Sequence, residues 1–284
     1  MSKKLIISAA LTGTSTTREQ APTVPVTPDE IAREAAAVVR AGASVLHIHV
    51  RDEAGRPTMD TDIFEETFRK VKASLRDAGL DAVINLTTSG AYGGTAPDGL
   101  RLGHLRRLKP DMCSFDANTM NWNCDIIFEN SPEFLEKLCN VTMEEGIKPE
   151  IEIFDGGAMT NVNYYVKKGM LKTPCHYQFV LGVTGGLEGT AENLAFLKSR
   201  LPEGATWSAT GIGKAHIPVM LAALSMDCDG IRVGLEDNVY LYRGVKATNV
   251  QLVERAVRLA ELAGREIADA AEARNILRID REVK

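Results

Sequence analysis

The chain has 284 residues, of which 44% are hydrophobic and 25% are charged, a composition typical of a globular protein. Its formal net charge of -5 argues against a nucleic-acid-binding surface, and no apolar run is long enough to span a bilayer. The five cysteines have an odd total and no C-x-x-C spacing. This pattern favours reduced thiols in the cytoplasm over a disulfide framework or a structural zinc site.

Short apolar runs alternate with helical patterns along the whole chain. The predicted strands, in chain order, comprise residues 4–12, 44–50, 82–88, 112–116, 149–154, 175–183, 206–211 and 230–235. The helices that follow them comprise residues 28–41, 60–75, 100–108, a segment beginning near 131, then 158–168, 191–201, 217–226 and 249–263. One more helix is predicted around residues 268–279.

Strand followed by helix, eight times, predicts an α/β fold of the (β/α)8 TIM-barrel type. The extra helix then lies at the C-terminal end, and residues 1–284 are expected to form a single domain. A doubly wound open sheet is the alternative. That fold usually has fewer units, and often a Gly-x-Gly-x-x-Gly turn after strand one, where this chain has Thr12-Gly13-Thr14-Ser15.

His47 and His49 stand two residues apart at the end of predicted strand two. Side chains two apart in a strand point to the same side, so the two imidazoles can bind one metal ion. The alternative is one hydrogen-bonded core histidine beside another that only packs. In TIM barrels the active site lies at the C-terminal ends of the strands, which is where this pair falls.

Predicted strand eight carries a second group of charged residues. Arg232 lies within the strand, and a buried guanidinium needs a carboxylate partner from the protein or the substrate. Glu236 and Asp237 follow where the strand gives way to a loop. Two histidines and one carboxylate leave an open position on a zinc ion, which is typical of catalytic sites. A solvated acidic turn is the alternative for the two carboxylates.

Three loops are further candidates for the site. Residues 118–130 are long for a loop of this fold and include Trp122, so we interpret them as a site-forming insertion or a subunit contact. Glycine-bearing turns follow strands six and seven, and loops after late strands often bind phosphate in TIM barrels, although a tight turn is the simpler alternative. The candidate cofactor-binding residues there are Gly211, Gly213 and Lys214.

Taken together, several motifs resemble the β-keto acid cleavage enzymes over nearly the full length of the chain. They are Ala10-Leu11-Thr12-Gly13, Thr27-Pro28-Asp29-Glu30, His47-Ile48-His49-Val50-Arg51, Pro149-Glu150-Ile151-Glu152, Gly211-Ile212-Gly213, His216-Ile217-Pro218 and Arg232-Val233-Gly234-Leu235-Glu236-Asp237. The resemblance implies a barrel, a divalent metal that is usually zinc, and reaction of a β-keto acid with acetyl-CoA. The implied products are acetoacetate and a new acyl-CoA, formed by enolate formation, Claisen-type attack and retro-Claisen cleavage.

The resemblance also implies roles for individual residues. By position, His47, His49 and Glu236 are the metal ligands, and Asp237 is the catalytic acid/base held by Arg232. Thr87 stands where the family has a serine near the substrate carboxylate, and Ser114 stands where the family has a threonine, so both positions keep a hydroxyl group. The implied substrate-binding residues are Ser15, Thr87, Gly90, Ser114, Asp116 and Glu152.

This chain differs from the family member that acts on an amino-bearing keto acid at residues expected near the variable end of the substrate. Ser15 stands where that member has a glutamate that pairs with the ammonium, and Asp116 stands where it has an amide. The amino-bearing substrate is therefore disfavoured. Asp116 with the aromatic Tyr92 and Trp122 suggests a quaternary ammonium, which makes dehydrocarnitine one hypothesis. An uncharged hydroxy- or alkyl-keto acid bound by Ser15 and Ser114 is the alternative.

Two other functions stay open from the sequence. A metal-dependent hydrolase of the amidohydrolase kind also has a His-x-His pair, but usually on strand one. A barrel that binds a keto acid without catalysis need not keep a base beside a metal. Besides its small-molecule partners, a β-keto acid and a CoA thioester, the protein is expected by resemblance to form a homotetramer.

Overall fold

The computed structural model describes residues 3–91 and 96–279, and its centre is a closed barrel of eight parallel strands. Each strand pairs with its neighbours in chain order, and pairing of the first with the eighth, for example Ser8 with Arg232, closes the barrel. The predicted (β/α)8 fold is confirmed. The strands are β1 (Ile6–Ala10), β2 (Val45–Ile48), β3 (Val83–Leu86), β4 (Met112–Asp116), β5 (Lys148–Ile153), β6 (His176–Leu181), β7 (Thr206–Gly211) and β8 (Gly230–Val233).

A helix follows each strand. Thr27 and Glu30 form a capping box around Pro28, so the first helix begins where the sequence predicts it. The helices are α1 (Pro28–Arg40), α2 (Thr61–Asp77), α3 (Asp98–Leu108), α4 (Pro132–Glu145), α5 (Ala158–Lys167), α6 (Ala191–Lys198), α7 (His216–Ser225), α8 (Asn249–Leu262) and α9 (Ala270–Leu277). Among the described residues, no helix is both long and apolar enough to cross a membrane.

Several strands end earlier than predicted, because their last residues already turn into the loops that form the upper rim of the barrel. Three short hairpins are built into these loops. They pair Val50–Arg51 with Pro57–Thr58, Met120–Trp122 with Ile126–Phe128, and Tyr240–Tyr242 with Val245–Lys246. The second hairpin lies in the segment 118–130 that the sequence left without regular structure.

The C-terminal helix α9 covers the lower end of the barrel. Its Ala273 and Leu277 pack against the first inward-facing side chains of the early strands, which include Ile6, Val45 and Met112. Arg274 pairs with Asp81, and its Nη2 donates to the carbonyl oxygen of Ala82 at 3.0 Å. The extra helix predicted at the C-terminus therefore closes the barrel floor.

Candidate functional site

His47 and His49 converge at the upper end of β2. His47 is inside the strand and His49 follows it, and both imidazoles are buried with their Nε2 atoms 3.0 Å apart. Glu236, on the loop after β8, reaches across so that its Oε1 lies 3.6 Å from His47 Nε2 and 3.3 Å from His49 Nε2. The three predicted metal ligands therefore direct one atom each at a common point.

These three atoms suit a divalent metal. Tetrahedral zinc with bonds of about 2.0–2.1 Å separates its ligand atoms by about 3.3 Å, which matches the observed spacing. Burial lowers the pKa of His47 well below its usual 6.5, so its imidazole is neutral, as metal binding requires. Although burial opposes it, nearby His49 and Arg232 hold the pKa of Glu236 well below 4.5. Glu236 Oε2 is also buried without a hydrogen-bond partner.

The loop after β1 holds Glu236 in place. Gly13 has φ +65°, and a Cβ there would lie 2.6 Å from Glu236 Cγ, so only glycine allows this approach. Arg51 fixes the loop because its Nη2 donates to the carbonyl oxygens of Gly13 at 3.0 Å and Thr16 at 2.6 Å. The backbone thus sets the position of one predicted metal ligand.

Arg232 links the candidate metal site to a second carboxylate. Its Nε and Nη2 donate to Asp237 at 2.9 Å each, and Nη2 also donates to Glu236 Oε1 at 2.6 Å. Its Nη1 lies 3.5 Å from Glu152, and Thr210 donates to Asp237 at 3.4 Å. Burial raises the pKa of Asp237, although the paired guanidinium opposes that shift. The sequence prediction of a buried, carboxylate-paired arginine is confirmed.

A cavity of about 190 Å³ opens above these groups. Most of the predicted substrate-binding residues line it, whereas Gly90 lies between the lining residues Ser89 and Ala91. Ser15 is exposed at the mouth, and Asp116 is buried in the wall. The predicted residues with side chains in the lining are Ser15, His47, His49, Thr87, Ser114, Asp116, Glu152, Arg232, Glu236 and Asp237.

Two hydroxyl groups in the wall are oriented by backbone amides. Ser114 Oγ accepts from the N–H of Thr88 at 2.9 Å, and Thr87 Oγ1 accepts from the N–H of Ser89 at 3.1 Å. Each oxygen accepts a hydrogen bond and keeps a proton that it can donate to a ligand in the cavity, although Ser114 Oγ also lies 3.4 Å from Thr88 Oγ1. The arrangement suits recognition of an acceptor such as a carboxylate.

An apolar wall of the cavity was missed by the sequence reasoning, apart from Trp122. The Trp122 ring stands edge-on to Phe128 and Phe154, with centroids 5.7 and 5.6 Å away. Val180, Val183 and Ile212 complete this wall. Val180 lies in β6 and the others come from the loops after β4 to β7, so only the assembled barrel brings them together. The one sequence signal was the length of the segment 118–130, which is thus part of the site.

In the glycine turn after β7, Ile212 lines the cavity, whereas the predicted cofactor-binding residues Gly211, Gly213 and Lys214 do not. Gly213 begins a short 3-10 turn, and its N–H donates to the carbonyl oxygen of Asp237 at 3.0 Å. Gly211 packs against Ala215, and Lys214 is exposed to solvent. These three predicted cofactor-binding residues therefore adjoin the loop that carries Asp237. Tyr92 lies outside the described residues.

Fold and site together define a (β/α)8-barrel enzyme with a candidate divalent-metal centre beside an arginine-held carboxylate. The family model of the β-keto acid cleavage enzymes matches residues 4–279. The chain belongs to this family and is an enzyme that cleaves β-keto acids.

Three relatives support the assignment, and one solved structure shares the fold. The chain is 42% identical to a 3-keto-5-aminohexanoate cleavage enzyme of Fusobacterium nucleatum and 40% identical to one of Acetoanaerobium sticklandii, over 98% of this chain and 98% and 100% of the relatives. It is 33% identical to a 3-dehydrocarnitine:acetyl-CoA trimethylamine transferase of Rhizobium meliloti, over 98% of each. The apo structure of ObcA shares the fold with a TM-score of 0.81 at 22% identity, over 92% of this chain and 66% of that one.

Proposed function

We propose that this protein is a divalent-metal-dependent enzyme that converts a β-keto acid and acetyl-CoA to acetoacetate and a new acyl-CoA. The observation that carries the proposal is the convergence of His47, His49 and Glu236 beside the Arg232–Asp237 pair. Relatives whose names pair a keto acid with acetyl-CoA support the same chemistry.

We assign the metal to His47, His49 and Glu236, and zinc fits this donor set best. A divalent cation bound there polarises the ketone of the substrate and makes the neighbouring C–H more acidic. His47 contributes a neutral lone pair, and Glu236 contributes a carboxylate kept ionised by its surroundings. Arg232, which donates to Glu236, holds the ligand toward the cavity.

Asp237 is the proposed general base. It takes the proton from the carbon between the ketone and the carboxylate, and Arg232 fixes its two oxygens for this transfer. That carbon then forms a bond to the thioester carbonyl of acetyl-CoA, which releases the CoA thiolate. The thiolate attacks the former ketone carbon, the original carbon–carbon bond breaks, and Asp237 returns the proton to acetoacetate. Glu152 is the alternative base.

Substrate and cofactor contacts follow from the cavity walls. The hydroxyl protons of Thr87 and Ser114 bind the substrate carboxylate, near the backbone of Gly90, and Ser15 contributes at the mouth. The exposed Lys214 contacts the phosphates of CoA from outside the cavity, and Gly211 and Gly213 shape the turn that carries it.

We also propose a cytoplasmic homotetramer. All five cysteines are free thiols and four of them are buried, which fits a reducing compartment. The exposed Ile127, Tyr242 and Val245 on two upper hairpins are candidate contacts between subunits. Light scattering at micromolar concentration should give four times the chain mass of 30.9 kDa. A monomer under these conditions would contradict the tetramer.

The decisive experiment is incubation with acetyl-CoA and a panel of β-keto acids, followed by product analysis. The proposal requires acetoacetate and acyl-CoA in equal amounts, formed only when acetyl-CoA is present. Product release without acetyl-CoA would favour a hydrolase instead. Binding of keto acids without any turnover would favour a non-catalytic barrel.

A further inference from the structure

Asp116 is a carboxylate in the cavity wall. It is 4% exposed, and its Oδ2 has no hydrogen-bond partner among residues 3–91 and 96–279. Among the described residues, no lysine, arginine or histidine forms an ion pair with it. Nearby Arg101 is committed elsewhere, since its Nε and Nη2 donate to Thr88 O at 2.7 Å and Asn130 Oδ1 at 2.6 Å. An unpaired buried carboxylate is costly unless a ligand completes it.

The other three carboxylates of the lining already have a cation. Arg232 holds Asp237 and Glu236 at 2.9 and 2.6 Å and contacts Glu152 at 3.5 Å. The proposed metal would add further positive charge next to Glu236. Asp116 is therefore the carboxylate of the cavity that is left for a charged group on the substrate.

Aromatic side chains line the same cavity as Asp116. It pairs with Glu152 across β4 and β5, and Phe154 follows Glu152 by two residues on the same face of the chain. The Trp122 ring packs edge-on against Phe154 and Phe128, and it lines the same cavity as Asp116. A carboxylate beside aromatic rings attracts an ammonium group through its charge and through the ring quadrupoles.

We propose that the variable end of the β-keto acid carries an ammonium group and that Asp116 is the specificity-determining residue that binds it. This inference rests on the proposed function. Ser15, exposed at the mouth, supplies no charge, so Asp116 carries out the pairing from another wall of the cavity. Primary and quaternary ammonium groups share this chemistry, whereas a second carboxylate at the variable end would be repelled.

Matched substrate pairs test the proposal in the metal-loaded protein. One pair is 3-keto-5-aminohexanoate and 3-ketohexanoate; the other is dehydrocarnitine and its neutral isostere, in which carbon replaces the quaternary nitrogen. We expect kcat/KM of the wild type to favour one or both ammonium members by about ten- to a hundredfold, as for loss of one charge-assisted contact. The pair with the larger ratio identifies the kind of ammonium.

Two variants assign the preference to one residue. Asp116→Asn should bring the ratio within each pair close to one, because it lowers kcat/KM of the ammonium members more than that of the neutral members. Asp125→Asn removes the same charge from the exposed turn of the neighbouring hairpin, outside the lining, and should leave the ratios unchanged. An equal loss in both variants would overturn the role of Asp116.

The outcomes separate the two proposals. Equal rates for ammonium and neutral members in the wild type, or preference for a keto-diacid, would overturn the inference and leave the proposed function intact. Lack of acetyl-CoA-dependent turnover with every β-keto acid would instead overturn the function. If Asp116→Asn does not fold, by circular dichroism, the wild-type ratios still decide whether the pocket selects an ammonium group.

Discussion

The lower and upper halves of the barrel interior differ in chemistry although the same strands build both. Along β2 the inward side chain changes from Val45 to His47, and along β4 it changes from Met112 to Asp116. The lower half joins α9 in an apolar cluster, whose burial stabilises the fold by about 25 cal/mol per Å². The upper half buries charged groups, which costs stability. Stability and chemistry therefore occupy different layers, separated by two to four residues of one strand.

The largest effect is expected from removing the ligands of the upper half. A His47→Ala, His49→Ala double variant loses two of three metal ligands, so bound metal and turnover should both fall below detection. Metal analysis of protein purified without added metal checks this, with wild type prepared in parallel. Stoichiometric metal in the double variant would place the metal elsewhere. The second possible ligand group, formed by His47, Glu150 and Glu152, would then be excluded as well, because it also contains His47.

The next largest effect is expected at the proposed base. Asp237→Asn keeps the shape and can still accept from Arg232, but it cannot take a proton. Turnover should fall by about two to four orders of magnitude. Metal content and unfolding midpoint should stay near wild type. Near-normal turnover would move the base to Glu152.

The lower half is tested by a core truncation. Leu277→Ala removes a side chain that is 2% exposed in α9 and should lower the free energy of unfolding by about 2–5 kcal/mol. Urea unfolding measures the loss, and kcat of the remaining folded enzyme should not change. Leu262→Ala, at a residue that is 85% exposed, is the matched control and should cost less than about 0.5 kcal/mol. A large change in kcat would show that the two halves are coupled.

The smallest effect concerns the acid sensitivity of the helical layer around both halves, where α2 packs on α3. His104 stacks on Phe64, and burial lowers its pKa to about 4, although contact with the Thr87 carbonyl opposes the shift. Since its ordinary pKa is 6.5, the unfolded chain takes up the proton first. Stability should therefore fall as pH decreases from 6.5 toward 4, by about 1.4 kcal/mol per pH unit for this group.

Urea unfolding at several pH values in that window measures this slope. His104→Gln should make the slope shallower by the contribution of one proton, whatever its effect on stability at neutral pH. An unchanged slope would mean that His104 titrates normally in the folded protein.

Most of the fold could be predicted because it depends on local periodicity. Alternating strand and helix patterns gave the barrel, and Thr27-Pro28 gave the start of α1. The predicted strand ends were less accurate, because a polar residue such as His49 can be either the last residue of a strand or the first residue of the following loop. The role of α9 as a floor could not be predicted, since its apolar face gives no information about which partner it covers.

The charged part of the site was accessible from the sequence because His47, His49 and Arg232 occur at strand ends, where barrel chemistry lies. The apolar wall was not accessible, since Phe154, Val180 and Ile212 resemble ordinary core residues in sequence. Only their convergence on one cavity in the folded barrel distinguishes them. The lack of a partner for Asp116 is likewise a property of the assembled structure.

The closed floor also affects the kinetics of the enzyme. Because α9 seals the lower end of the described barrel, the keto acid and acetyl-CoA share the upper mouth. In the proposed mechanism the small acid binds deep beside His47 and Asp237, so we expect it to arrive before the bulky thioester and acetoacetate to leave after the acyl-CoA. Steady-state kinetics should therefore be sequential and ordered, with acyl-CoA as the first product released.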